Sequence, residues 1–111
     1  MAKDDYYVIV FRILKHLYKQ LKAGLPPEPE MLRHDSKTCN VNEAYWRYIL
    51  VSMQDEGLIR GLKTGESQME ETPLEDQLAN IQITPKGIEL LSDNRMSERV
   101  DGLIKGALGV G

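Results

Sequence analysis

The sequence predicts a mainly helical α+β domain with one short antiparallel β-hairpin. Two long segments carry apolar residues three and four positions apart, the spacing that puts side chains on one face of an α-helix. The stretch Ala79–Leu91 passes without a linker from an alternating strand pattern into a helix start. A chain of 111 residues that is 41% hydrophobic and 28% charged has ordinary globular composition, so we expect one domain over residues 1–111.

The first helix is predicted to begin at Asp4 or Asp5, either of which can cap it, and to end at Gly24. Its main apolar face is Tyr7, Val10, Leu14, Leu17, Tyr18 and Leu21. A second apolar flank, Ile9 and Ile13, widens the stripe, so we expect this helix to pack against two neighbours. The opposite face carries a row of cations, Arg12, Lys15, Lys19 and Lys22. Such a row is usually a solvated surface; the alternative is contact with phosphates or with the acidic loop of a second subunit.

A short helical turn is predicted from Glu28 to Arg33. The third helix follows because the segment ending at Asn42 offers an N-cap, and Gly57 ends it. Its buried side is predicted to hold Trp46, Ile49, Leu50 and Met53.

The hairpin is predicted to pair Leu58–Thr64, whose alternation is broken by Gly61, with Ala79–Ile83. A loop with five carboxylates joins these strands: Glu66, Glu70, Glu71, Glu75 and Asp76. Thr84 then caps a fourth helix and Pro85 suits its first position. This helix is predicted to bury Ile88, Leu90 and Leu91. The tail, residues 94–111, is predicted to form a C-terminal helical extension that docks on Ile9 and Ile13, leaving residues 1–93 as the core of the domain.

Three helices followed by a two-stranded hairpin is the element order of a winged helix-turn-helix domain, in which the hairpin is the wing. The chain also resembles the YjcQ-type family of small proteins from Gram-positive bacteria and their prophages. The residues that carry the resemblance are Asp55-Glu56-Gly57-Leu58-Ile59 and Ile83-Thr84-Pro85-Lys86-Gly87, with Leu90 and Leu91. The resemblance implies a fold similar to that of DNA-binding winged helices, and it brings no established activity. The chain departs from the family in a longer, more acidic hairpin loop and a longer proline-rich connection after the first helix.

DNA binding is the function that this fold suggests by analogy, in a small non-enzymatic regulator. The outer face of the third helix is predicted to be Ala44, Arg47, Tyr48, Val51 and Asp55. On it Arg47 suits guanine, and in the segment before the helix Asn40 or Asn42 suits adenine. Lys37, Arg60 and Lys63 are predicted to hold phosphates. The charge distribution restricts where a polyanion can bind. Residues 1–63 have ten Lys/Arg against eight Asp/Glu, and residues 64–111 have four against nine, so the acidic hairpin loop would repel phosphates. The competing interpretation makes Asn40 and Asn42 capping residues and Arg47 an ordinary surface side chain.

A protein-binding or homodimerising module is the alternative function. Ala44, Tyr48 and Val51 are apolar on the same outer face, at positions where a DNA-binding helix usually has polar residues. The acidic loop or the tail could instead cover this strip within one molecule.

The sequence gives little support for a catalytic site or a metal site. His34, Asp35 and Cys39 lack the paired spacing of a zinc site, and His34 with Cys39 has no third group to orient a nucleophile. We therefore predict no enzyme activity, no cofactor, no metal and no small-molecule substrate. A lone cysteine, an acidic N-terminus and the absence of a long apolar run predict a cytoplasmic protein with no membrane partner.

Overall fold

The computed structural model describes residues 5–65 and 72–93, which form a mainly helical α+β arrangement. In chain order its elements are α1 (Asp5–Ala23), α2 (Pro29–Leu32), α3 (Glu43–Asp55), β1 (Ile59–Arg60), a 3-10 helix (Leu74–Asn80), β2 (Gln82–Ile83) and α4 (Pro85–Ser92). Strands β1 and β2 pair antiparallel, with Ile59 opposite Ile83 and Arg60 opposite Gln82. The mainly helical α+β class and the antiparallel pair are thus confirmed. The predicted cap at Asp4 and the predicted C-terminal extension, residues 94–111, lie outside the described residues.

The inner side of α3 forms the centre of the hydrophobic core, as predicted. Its four core residues, Trp46, Ile49, Leu50 and Met53, are each 0% exposed. Indole Nε1 of Trp46 donates a 2.7 Å hydrogen bond to the carbonyl oxygen of Leu32, so the polar atom of the buried ring is satisfied. This bond fixes the end of α2 against α3.

The buried stripe of α1 is rotated relative to the prediction. Tyr7 and Leu21 are exposed, whereas Ile9 and Ile13 belong to the main core rather than to a separate flank. At 100° per residue the stripe is centred roughly 60° from the predicted face. The rotation brings Gln20 into the buried stripe, where its Nε2 donates to the carbonyl oxygen of Pro26 at 2.9 Å. α1 packs against α3, β2 and α4.

The hairpin strands are much shorter than predicted, because two glutamines occupy the backbone groups that a longer β1 would use. The side chain of Gln54 accepts from the N–H of Leu62 and donates to its carbonyl oxygen, both at 2.8 Å. Gln77 binds Lys63 in the same two-way manner, at 2.7 and 3.3 Å. Extending β1 to Thr64 is therefore wrong. A 3-10 helix occupies Leu74–Asn80. The prediction of a loop before Ala79 and of a strand that begins at Ala79 is therefore wrong over these residues.

The junction between β2 and α4 is as predicted. Thr84 caps α4, with its Oγ1 accepting from the N–H of Gly87 at 3.1 Å. The same hydroxyl donates to the carbonyl oxygen of Gly57 at 2.5 Å, and the N–H of Thr84 donates to that of Leu58 at 3.1 Å. Gly87 lies so close to the carbonyl oxygen of Leu58 that a β-carbon there would collide with it. Ile88, Leu90 and Leu91 are half-buried against the core.

Candidate functional site

Four tyrosines meet at the surface where the start of α1 lies beside α3. The ring centroids of Tyr6 and Tyr7 are 5.2 Å apart, those of Tyr6 and Tyr48 are 6.3 Å apart, and those of Tyr45 and Tyr48 are 6.5 Å apart. The chain has five tyrosines, so only Tyr18 is outside the group. We call this surface the tyrosine face. Its rings, with Ser52 and Glu56, line a depression of about 320 Å³.

The tyrosine face contains both buried and exposed rings. Tyr48 is 61% exposed and Tyr7 is 38% exposed, whereas Tyr6 and Tyr45 are half-buried against the core. Burial, followed by the negative charge of Glu56, raises the pKa of Tyr6 to about 12. Tyr6 packs against the core and against the rings of Tyr7 and Tyr48, so it links these more exposed rings to the core.

The predicted outer face of α3 is present, and Tyr48 joins it to the tyrosine face. Ala44 and Arg47 are exposed, while Val51 is half-buried and touches the core. Nη2 of Arg47 forms an ion pair with Oε1 of Glu43 at 3.2 Å, one helical turn away.

Asn40 and Asn42 both take part in hydrogen bonds with backbone atoms. Oδ1 of Asn42 accepts from the N–H of Tyr45 at 2.8 Å and caps α3. Asn40 has a φ of 47°, a left-handed conformation that asparagine tolerates better than most residues, and its N–H donates to the carbonyl oxygen of Ser36 at 2.8 Å. These contacts match the capping interpretation of Asn42.

The predicted phosphate contacts fall into two groups. Nε of Arg60 on β1 donates to Oε1 of Gln82 on β2 at 3.3 Å, and Lys63 follows β1 with its side chain exposed. Lys37 instead lines a shallow groove of about 300 Å³ beside α1. The side chains of this basic groove are Arg12, Lys15, His16, Lys19, Met31, Lys37 and Thr38.

The cysteine and the histidines have structural contacts. Cys39 is 3% exposed, and its burial raises the pKa of the thiol. Nδ1 of His34 lies 3.2 Å from the carbonyl oxygen of Val41, and its ring packs edge-on against Trp46. Within residues 5–65 and 72–93, no cluster of three or more His, Cys, Asp or Glu side chains is arranged to hold a metal ion. No helix in this part of the chain is long and apolar enough to cross a membrane.

The sequence predicts that Tyr48 lies on an exposed face of α3, but it does not predict that Tyr6, Tyr7 and Tyr45 lie beside it. The signal was a pair of adjacent tyrosines at the start of one helix and two tyrosines three positions apart on another. These two pairs of tyrosines predict a shared surface only when the packing of α1 against α3 is known, because the two helices are distant in sequence.

Comparison with known proteins gives a family assignment. A family model described as YjcQ protein matches residues 11–107. No curated protein and no solved structure was found to match the chain.

Proposed function

We propose that this chain, which belongs to the YjcQ family, is a small non-enzymatic binding protein of winged-helix type. It pairs with a second copy of itself through the tyrosine face and the outer face of α3 that adjoins it at Tyr48. The observation that carries the proposal is the grouping of four tyrosines at one surface. Tyrosine is enriched among the residues that dominate interface energies, and its two side-chain torsions make it inexpensive to order. The half-buried Tyr6 and Tyr45 hold the exposed Tyr48 in a defined position.

The charge pattern of α3 favours a second copy as the partner. Arg47 lies four residues before Val51, and Asp55 lies four residues after it, on the same outer face. In an antiparallel pair of α3 helices with the twofold axis at Val51, Arg47 faces Asp55 of the partner subunit, and the contact occurs twice. The existing ion pair of Arg47 with Glu43 is solvent-exposed, so exchanging it costs little.

The winged-helix part of the proposal is supported by the order of elements, since an antiparallel strand pair follows the third helix. A prophage-type regulator that inserts α3 into the DNA major groove is the companion hypothesis, and it rests on fold analogy. The contacts of α3 favour the protein-binding role instead. The Asn42 oxygen caps the helix, and Tyr48 packs among other tyrosines.

Self-association is measured by sedimentation velocity at protein concentrations up to about 100 μM. This range is needed because the area of an interface does not fix its affinity, and a dimer of micromolar affinity forms only at such concentrations. We expect a dimer that Tyr48→Glu converts to a folded monomer. Leu25→Glu is the matched control, because Leu25 is 56% exposed and lies outside the tyrosine face. It should leave the dimer intact.

A charge swap tests the geometry of the pairing. Arg47→Asp alone and Asp55→Arg alone should each weaken the dimer, because each puts like charges opposite one another at two symmetric positions. Combining both changes should restore it. A wild-type chain that stays monomeric throughout the concentration range would disprove the proposed function, and a double variant weaker than both single variants would disprove the Val51-centred pairing.

A further inference from the structure

The basic groove, on the side of α1 away from the core, contains four cationic side chains that form no ion pair within the described residues. Arg12, Lys15 and Lys19 come from α1, and Lys37 comes from the loop between α2 and α3. The ion pairs found in residues 5–65 and 72–93 are Arg33–Asp35 and Arg47–Glu43, so neither includes a cation of the groove. The chain as a whole has a net charge of −3, which makes this local excess of cations more distinctive.

The arrangement of the cations suits an extended anion. At 100° per residue, Arg12, Lys15 and Lys19 share one face of α1, and Arg12 and Lys19 are separated by about 10 Å along the helix axis at 1.5 Å per residue. Lys37 adds a cation from a second segment of chain. A single phosphate is normally held by donors that converge on one point, often with backbone N–H groups among them. A row of side chains instead follows a chain of phosphates.

The other groups around the groove leave this row intact. Nε2 of His16 accepts a 3.1 Å hydrogen bond from the backbone N–H of Glu28, which holds the imidazole in a neutral form. Glu28 and Glu30 are the acids that act on His16, and neither carboxylate lines the groove. Met31 and Thr38 add an uncharged part of the lining.

We infer that the basic groove binds the phosphate backbone of nucleic acid without reading the bases. This site is separate from the tyrosine face and does not depend on self-association. It also differs from standard winged-helix docking, in which the third helix and the hairpin would contact DNA.

The test uses a fluorescently labelled mixed-sequence DNA duplex, with binding followed by anisotropy as salt is increased. Four phosphate contacts predict a loss of about 100-fold in affinity between 50 and 200 mM salt. Lys15→Gln/Lys19→Gln should weaken binding at least about tenfold at the lower salt and reduce the log–log salt slope by about 2. Arg60→Gln/Lys63→Gln is the matched control: it removes the same two charges, and it should bind like the wild type. Circular dichroism verifies that both variants are folded.

Three results would overturn the inference. Loss of binding in the Arg60/Lys63 variant with retention in the Lys15/Lys19 variant would place the phosphates on the hairpin. Absence of binding to duplex DNA and to single-stranded RNA at low salt would remove nucleic acid as the ligand. Binding to phosphatidylserine vesicles without binding to either nucleic acid would assign the groove to a lipid surface.

Discussion

Replacing Thr84 with valine removes the hydroxyl that fixes α4 to the end of α3 while keeping the shape of the side chain. That hydroxyl accepts from the N–H of Gly87 and donates to the carbonyl oxygen of Gly57, so one atom caps a helix and satisfies a distant backbone group. Valine can make neither bond. Serine keeps both and loses a methyl group, so Thr84→Ser is the matched control.

The expected loss of stability follows from the two bonds. Removing a threonine N-cap costs about 0.5–2 kcal/mol. Leaving a buried carbonyl without its donor costs about 1–3 kcal/mol, and the lower end applies because this bond is only partly buried. We therefore expect Thr84→Val to reduce the free energy of unfolding by about 1.5–3 kcal/mol. Thr84→Ser should reduce it by about 1 kcal/mol or less, the value of one methyl group.

Urea unfolding followed by circular dichroism measures both variants. With m between about 1 and 3 kcal/mol/M, the Thr84→Val midpoint should fall by about 0.5–3 M. The comparison is valid if m is unchanged, since a change in m would indicate an altered unfolded or native state. If Thr84→Val and Thr84→Ser have the same midpoint, the hydroxyl contributes no more than one methyl group and the argument is refuted.

Two further predictions concern Gln77 and His16. Gln77→Met should lower the free energy of unfolding by about 2–4 kcal/mol and speed hydrogen exchange at the Lys63 amide, because it leaves backbone groups of Lys63 and Thr72 unsatisfied; unchanged exchange would contradict this. His16 should make stability fall as pH decreases below its ordinary pKa of 6.5, since burial lowers its pKa in the folded state and the unfolded chain then binds the proton more readily. Urea titrations at several pH values measure this as the difference between the wild type and His16→Gln, and a difference independent of pH would contradict it.

Features set by neighbouring residues were predictable from the sequence. The Asn42 cap, the left-handed Gly57 that ends α3 and the Thr84-Pro85 start of α4 are all present. Each depends on backbone chemistry within a few positions, which residue type reveals directly. The Trp46 side of α3 was also predictable, because its apolar residues recur with the helical period.

Features set by distant side chains were not predictable in the same way. The alternation after Leu58 suggests a longer strand, but Gln54 and Gln77 bind the backbone of Leu62 and Lys63 and end the pairing at Arg60. Glutamine has no signature that marks it as a backbone partner eight or fourteen residues away. For the same reason, the sequence did not indicate that Lys37 lies in one groove with the cations of α1.

The short motifs by which the chain resembles its family contribute to folding more than to binding. Gly57 and Leu58 at the end of α3 accept hydrogen bonds from Thr84, and Gly87 fits against the backbone of Leu58, so the two sequence-distant motifs form one structural unit. The rings of the tyrosine face and the cations of the basic groove lie outside both motifs. In the first motif, Asp55 and Glu56 are the exceptions, since Asp55 belongs to the proposed α3 pairing and Glu56 lines the depression of the tyrosine face. The hydrogen bonds of the two motifs therefore account for the α3–α4 junction, whereas the two proposed binding surfaces are formed mostly by other residues. Membership of the YjcQ family therefore supports the architecture of this junction, and it does not by itself identify a binding partner.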